Sequence, residues 1–272
     1  MRARVVLTCL ALLASLSAAA AQEPQEPFVP QSGQPGKDVV WVPSPPEMVN
    51  KMMEVAQVTP ADYVIDLGSG DGRNVIAAAK LGANALGVEY NPDMVALSER
   101  LATEAGVADK AKFVQGDMYV ADISKASVMA LFLLPVNLNR LAPKFLELAP
   151  GARIVANTFG IDGWEPDMRL TMPQESDCES WCEVLLWIVP AKVAGHWNMP
   201  GGRLELTQDY QMVTGKALIG GESHMVTMGR LNGEEFSFIA GANTYRGTVK
   251  GNRIEGTVTT ASGTTAWSAT RP

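Results

Sequence analysis

The sequence predicts an α/β fold in which helices cover both faces of a mostly parallel sheet, followed by a small antiparallel β domain that is a barrel or a sandwich. Three observations support this fold class. Short apolar runs alternate with amphipathic segments over residues 63–159, a glycine-rich turn follows the first run, and short runs separated by Gly and Asn take over after about residue 183. Alternating units of this kind are typical of a parallel sheet between helices.

The α/β part begins with a helix that we expect to start after Ser44, which can cap it, because Pro45 fits a first helical turn. Apolar runs predict five strands, at 63–68, 84–89, 112–117, 128–134 and 152–159. Residues 74–82, 92–106 and 137–148 separate these runs and are predicted to be helices.

The C-terminal part is predicted to be a β domain over residues 192–272, with the boundary near Pro190. Asn232-Gly233 and Gly251-Asn252 have the chemistry of two-residue hairpin turns. Gly195-His196-Trp197 matches a GxW pattern seen in lipocalin-like barrels, and we expect Trp197 to plug a barrel core rather than to bind a ligand. The strand candidates are residues 183–190, 203–208, 210–213, 224–231, 235–240, 244–249, 253–258 and 265–271.

The N-terminal 21 residues have a basic start, an apolar stretch and small residues before Gln22, the form of a cleaved secretory signal peptide. We therefore expect a periplasmic or secreted protein with no stable membrane span after cleavage. Residues 22–40, rich in Pro, Gln and Gly, are predicted to be a linker. Cys178 and Cys182 are compatible with a disulfide or with free thiols, and two histidines without a Cys/His cluster make a metal site improbable.

Composition argues against nucleic acid as a partner. With a net charge of -7 and no basic block, the sequence provides no positively charged surface that would bind phosphates.

The glycine-rich turn VIDLGSGDGRN (64–74) indicates a site where a ligand approaches the backbone closely. A dinucleotide turn would need GxGxxG, but Arg73 stands where the third glycine belongs. Asp66, at the end of the preceding strand, would repel a pyrophosphate and suits a positively charged ligand. S-adenosylmethionine carries both an ammonium and a sulfonium group.

Two later acids lie at the carboxyl ends of the next two predicted strands. Glu89 can accept hydrogen bonds from both ribose hydroxyls, and Asp117 can accept one from the exocyclic amine of adenine. The carboxyl ends of strands form the ligand crevice of open α/β sheets, so Asp66, Glu89 and Asp117 are expected to share one site.

Residues 41–167 resemble a class I S-adenosylmethionine-dependent methyltransferase. Within that class they are similar to the family of the ATP-synthase c-subunit lysine methyltransferase and its bacterial relatives. The stretches that carry the resemblance are WVPSPPEMV (41–49), residues 64–92, LLP (133–135) and ARIVANTFGIDGWEPD (152–167). The resemblance implies a Rossmann-like class I methyltransferase sheet over a domain of residues 41–191 and S-adenosyl-L-methionine as cofactor. Asn74 departs from the pattern, where an aliphatic residue is expected.

The candidate site residues fall into two groups. The predicted cofactor-binding residues are Trp41, Asp66, Gly68, Ser69, Gly70, Asp71, Gly72, Glu89, Tyr90, Asp117 and Met118. The candidate catalytic residues, after the fourth and fifth strands, are Pro135, Asn137, Asn157 and Trp164. Trp164 could line the acceptor pocket or close the sheet edge, and we favour the pocket. Trp41 is expected to fold over the cofactor or to serve as a hydrophobic anchor.

The predicted activity is transfer of a methyl group from S-adenosylmethionine to an acceptor, with a protein lysine amine as the leading candidate. Such an in-line displacement needs no general acid, but a lysine must first lose its proton. Leu134, Pro135 and Asn137 replace the NPPY-type motif of many amino methyltransferases, so adenine or glutamine N-methylation is not supported. The alternatives are a small-molecule methyltransferase whose acceptor is selected by the β domain, and a non-catalytic envelope binding protein.

Overall fold

The computed structural model describes residues 28–173, 176 and 178–271, so the predicted signal peptide lies outside the described residues. The α/β part follows the predicted order of strands and helices, and two more strands complete it, the second of which matches the strand candidate at residues 183–190. Its elements are α1 (Pro46–Val55), β1 (Tyr63–Leu67), α2 (Arg73–Lys80), β2 (Asn84–Glu89), α3 (Pro92–Glu104), β3 (Ala111–Gln115), β4 (Val128–Leu131), α4 (Pro135–Phe145), β5 (Arg153–Asn157), β6 (Met168–Thr171) and β7 (Glu183–Ile188).

The seven strands form one sheet in the order β3-β2-β1-β4-β5-β7-β6. The five predicted strands are parallel, whereas β7 runs antiparallel to both β5 and β6, with Asn157 opposite Val184. Because β7 is reversed, it begins at the edge where the parallel strands end. The carboxyl edge of the sheet therefore receives the ends of β1 to β5 and the start of β7.

Helices cover both faces of this sheet, as predicted. Successive strand residues alternate between two buried clusters, as Val64 and Ile65 show. The cluster containing Ile65 includes apolar residues of α4, and the cluster containing Val64 includes those of α1 and α2. Each face thus has its own apolar core, which fixes the sheet between helices.

The β domain is a closed antiparallel barrel, which decides between the two predicted architectures. Consecutive strands pair with each other, and the last closes on the first through Thr270 and Asn198. The strands are β8 (Gly195–Met199), β9 (Gly202–Asp209), β10 (Met212–Ile219), β11 (Glu222–Asn232), β12 (Glu235–Ala240), β13 (Asn243–Lys250), β14 (Arg253–Thr260) and β15 (Gly263–Thr270).

Aromatic side chains fill the barrel interior. Phe238 stacks on Tyr245 with 4.7 Å between ring centroids, and Trp267 meets both rings edge-on. Trp197 is fully buried in the same core, and its indole Nε1 donates to the carbonyl of Val193 at 2.7 Å, so its predicted role as a core plug is confirmed. Eight-stranded barrels are just wide enough for side chains to fill in this way.

One local expectation is wrong, and one open alternative is decided. Ser44 does not cap α1, because Pro45 takes the N-cap position with an extended ψ of 147° and Pro46 starts the helix. A residue that precedes proline is disfavoured in the helical region, which moves the start by one position. Cys178 and Cys182, for which both states were open, form a disulfide with 5.7 Å between their Cα atoms. Over the described residues, 28–173, 176 and 178–271, no helix is long and apolar enough to cross a membrane.

Candidate active site

The glycine turn connects β1 to α2. Gly68, Gly70 and Gly72 have φ values of 72°, 56° and 80°, in the left-handed region that side chains disfavour. A Cβ atom on Gly70 would lie 2.6 Å from the indole Nε1 of Trp41, and one on Gly72 would lie 2.6 Å from the ring of Phe113. Conformation and space both restrict these two positions to glycine, so the backbone comes close to whatever occupies the turn.

Asp66, the penultimate residue of β1, is a buried carboxylate, with 3% of the residue exposed. Burial raises the pKa of Asp66 well above its ordinary value; the charges of Glu89 and Asp71 add to the rise, and a hydrogen bond from Asn74 opposes it. The amide of Asn74 donates to Asp66 at 3.1 Å and reaches the carbonyl of Ala130 at 3.4 Å. Asn74 therefore supports the carboxylate, which explains why no aliphatic residue stands there.

Glu89 is held in one orientation by two backbone amides. Its Oε2 accepts from the amide of Gly70 and its Oε1 from the amide of Asn91, both at 2.9 Å. Each carboxylate oxygen keeps a further acceptor position. The Glu89 carboxylate therefore connects the glycine turn to the end of β2.

Asp117 pairs with Lys37, whose Nζ lies 2.6 Å from Oδ2, and its Oδ1 accepts from the amide of Tyr119 at 2.8 Å. The hydrogen bond from Lys37 is the main cause of the lowered pKa of Asp117. The same hydrogen bond raises the pKa of Lys37. Lys37 belongs to the predicted linker, so part of that segment is an element of the site.

Residues 34–44, which we call the strap, run along the cavity. The backbone amide of Trp41 donates to the carbonyl of Gln34 at 3.0 Å, which folds the strap back on itself. Arg73 donates from Nη1 to the carbonyl of Ser44, and its Nη2 lies 2.5 Å from Asp71 Oδ2. The arginine that replaces the third glycine of a dinucleotide turn therefore ties the strap to the glycine turn.

These elements enclose a cavity of about 230 Å³. All of the predicted cofactor-binding residues line it except Gly72, which is the N-cap residue of α2. The wall also contains a group of residues from the ends of β4 and β5 and from the segment before β7. The members of this group are Phe132, Leu133, Leu134, Phe159 and Trp181.

The four candidate catalytic residues do not line the cavity. Asn137 and Asn157 are buried behind the wall, where their amides donate to the hydroxyls of Tyr119 at 2.7 Å and Ser44 at 3.1 Å. Pro135 starts α4, one residue beyond Leu134, which does line the cavity. Their geometry fits support of the wall rather than contact with a substrate.

Trp164 is placed elsewhere, and the interpretation of it as a pocket residue is wrong. Its ring is 1% exposed, lies 6.4 Å from Trp187 and stacks on Tyr210 of the barrel at 5.0 Å. The sequence could not show this, because the barrel that covers Trp164 is formed by residues far along the chain.

Three aromatic wall residues were not among the predicted site residues. Phe132 and Phe159 are nearly parallel, with 6.1 Å between centroids and 8° between planes. Trp181 meets Phe132 at 6.0 Å and 60°. Phe132 and Phe159 lie near the carboxyl ends of the predicted strands 128–134 and 152–159 and could have been found by their position, whereas no sequence signal brings Trp181 to them.

The described residues contain no cluster of three or more His, Cys, Asp or Glu side chains placed to hold a metal ion.

Comparison with known proteins places the α/β part among methyltransferases. Residues 66–168 match the family model described as the ANTKMT methyltransferase domain. A protein-lysine N-methyltransferase of Saccharolobus islandicus is 42% identical over 132 residues, which cover 47% of this chain and 81% of that protein. The ATP-synthase c-subunit lysine N-methyltransferase of Mus musculus is 43% identical over 38% of this chain and 42% of its own length. This chain spans about half the length of such animal relatives.

A solved structure shows the same fold. The RNA methyltransferase of Salinibacter ruber, in complex with S-adenosyl-L-homocysteine, is 42% identical with a TM-score of 0.51, over 56% of this chain and 96% of that one.

Proposed function

This chain belongs to the methyltransferase family defined by the ANTKMT domain, and from that premise we propose that it methylates the ε-amine of a lysine in a protein. It is an S-adenosylmethionine-dependent methyltransferase with a Rossmann-like fold. The proposal concerns the acceptor and the residues that bind it and the cofactor. The observation that carries it is the cavity itself, which joins the acids at the ends of β1, β2 and β3 on one side to the rings of Phe132, Phe159 and Trp181 on the other.

The acidic side fits S-adenosylmethionine. Among the described residues, no positively charged side chain lies within ion-pair distance of Asp66, so a buried carboxylate is available to a cationic ligand. Ser69 also belongs to the cavity wall. A ligand with an ammonium group would satisfy the buried carboxylate of Asp66.

We assign Asp66 to the cationic amino-acid end of the cofactor, Glu89 to its ribose hydroxyls and Asp117 to its adenine amine. Trp41, which lies against Gly70, would cover the bound cofactor. The cofactor supplies an electrophilic methyl group on a sulfonium. The chain supplies orientation and a water-poor surface, which are the main requirements of an in-line displacement.

A lysine acceptor is supported by the relatives and by charge. Relatives named as protein-lysine N-methyltransferases are up to 43% identical to this chain over the matched part. The Salinibacter relative is named an RNA methyltransferase, but the net charge of -7 here opposes binding to a phosphate backbone. The filled barrel interior disfavours capture of a small acceptor inside the barrel.

We also propose that the protein is exported. The support is the sequence of residues 1–21 and the Cys178–Cys182 disulfide, because disulfides persist in oxidising compartments.

The experiment is methyl transfer by the chain from Gln22 onward, with cofactor carrying a labelled methyl group. Calorimetry measures cofactor binding, and amino-acid analysis of labelled envelope protein identifies the methylated residue. We expect label in methyl-lysine, and none with the Glu89→Ala variant. Label in RNA without methyl-lysine would refute the lysine acceptor, and absence of cofactor binding would refute the assigned site.

A further inference from the structure

Phe132, Phe159 and Trp181 share one half of the carboxyl edge of the sheet. The three acids lie at the carboxyl ends of β1, β2 and β3, on the other side of the sheet order. Phe132 follows β4 and Phe159 follows β5, while Trp181 precedes β7, whose first residues lie at the same edge because that strand is reversed. The cofactor-facing acids and these three aromatic rings therefore occupy opposite halves of one cavity.

Leu133 connects the two halves. A Cβ atom on Gly68 would lie 3.4 Å from its Cδ2, so the end of β4 touches the glycine turn. The aromatic half is thus directly beyond the turn, where an acceptor must approach a methyl group.

Trp181 differs from the two phenylalanines in how it is held. It is 44% exposed and has a φ of 59°, a left-handed conformation that non-glycine residues rarely adopt unless the surrounding structure imposes it. The Cys178–Cys182 disulfide closes the chain around it, and residues 178–182 are here called the Trp181 loop. The carbonyl of Cys182 accepts from the amide of Met172 at 2.8 Å, which fixes one end of the loop to the sheet.

We propose that the disulfide of the Trp181 loop positions Trp181 as the outer wall of the acceptor site, where it selects a lysine side chain. This inference rests on the proposed function, since it assumes a lysine acceptor. A four-carbon stem fits between flat aromatic faces, and an amine or methylated amine is attracted to them.

The first test changes the ring. We expect Trp181→Ala to raise the KM for an unstructured lysine-containing peptide about tenfold, because a loss of that size corresponds to one aromatic contact. The affinity for S-adenosylmethionine and kcat should stay within about twofold of wild type, and Trp181→Phe should restore most of the peptide affinity. Met228→Ala is the matched control: Met228 is also exposed, apolar and left-handed, with a φ of 51°, but it lies on the barrel.

The second test changes the disulfide. Dithiothreitol supplies two electrons and two protons and converts the bond to two thiols. Reduction should raise the peptide KM of wild type toward that of Trp181→Ala. The double variant Cys178→Ser with Cys182→Ser should show the raised KM without reductant and no response to it, and circular dichroism checks that it is folded.

An unchanged peptide KM in Trp181→Ala, or equal KM values in the oxidised and reduced wild type, would overturn the inference while leaving the proposed function intact. Failure of the wild type to bind cofactor or to form methyl-lysine would refute the proposed function instead. If Trp181→Ala impaired labelling of an RNA oligonucleotide but not of the peptide, selection of lysine by Trp181 would be rejected.

Discussion

The ring of Tyr210, in the barrel, stacks on the indole of Trp164, in the segment after β5, with 5.0 Å between centroids and 10° between planes. The side-chain amide of Gln211 donates to the carbonyl of Glu165 at 2.7 Å, and Arg230 pairs with Asp167 at 2.6 Å. Phe159 of the cavity wall lies at the start of the same segment. The barrel therefore holds the polypeptide that carries one of the acceptor-facing rings.

Arg230→Ala should destabilise the protein through this contact. The Asp167 side chain is only 7% exposed, and loss of its partner leaves a largely buried carboxylate without its cation, which costs about 1–3 kcal/mol. Arg253→Ala is the control, because Arg253 pairs with Glu255 at an exposed site on the same barrel, where such pairs are worth less than about 1 kcal/mol. Urea unfolding measures both, and equal losses would show that Arg230 is no more than a surface charge.

Glu89→Gln should weaken cofactor binding about tenfold or more, because an amide replaces one of two carboxylate acceptors that would face the ribose. The variant keeps the size of the side chain, and the hydrogen bond from the Gly70 amide can persist. Glu99→Gln makes the same charge change on the exposed face of α3 and should leave the affinity unchanged. Calorimetry with S-adenosylmethionine compares them. Similar affinities for both variants would remove Glu89 from the cofactor site.

Asp66→Asn should stabilise the cofactor-free protein while abolishing cofactor binding. The folded state holds a proton on Asp66 more strongly than the unfolded state, because burial raises its pKa. The free energy of unfolding of the wild type should therefore fall as pH rises from about 4, the ordinary aspartate pKa, through the raised value. Asparagine does not titrate, so the advantage of the variant should grow with pH. Urea unfolding across this window measures the difference, and a gap independent of pH would contradict the assignment.

Gly70→Ala should weaken cofactor binding at least about tenfold, through displacement of Trp41. Gly106→Ala is its control, since Gly106 has a φ of 70° but no atom within 4 Å of the added Cβ. Both changes carry the conformational cost of a left-handed alanine, about 1–2 kcal/mol. Only Gly70→Ala also displaces the indole of Trp41 from the glycine turn. Equal cofactor affinities in the two variants would mean that Trp41 does not cover the cofactor.

The sequence predicts those structural features that depend on patterns among neighbouring residues. The five parallel strands, the helices and the glycine turn follow from periodicity and from glycine spacing, and the acids that line the cavity follow from their positions at strand ends. The short edge strand β6 left no such signal, because its residues are mostly exposed and pair only with β7.

Contacts between residues far apart in the chain account for the features of the site that could not be predicted from the sequence. Lys37, in a segment with a linker composition, pairs with Asp117, 80 residues away. The sequence around Trp164 suggested a pocket residue. Its stacking partner, Tyr210, belongs to the barrel, and local sequence does not predict how the barrel packs on the sheet. Trp181 reaches Phe132 only because β7 is reversed.

The contacts between the barrel and the segment after β5 link thermal unfolding of the barrel to loss of acceptor binding. The barrel has its own hydrophobic core, separate from the two cores of the α/β sheet, so it can melt at its own temperature. When it melts, Tyr210, Gln211 and Arg230 release the segment that carries Phe159, whereas the glycine turn, Glu89 and the strap do not touch the barrel through any of these contacts. On heating, the enzyme would lose the ability to bind its acceptor while it still bound its cofactor.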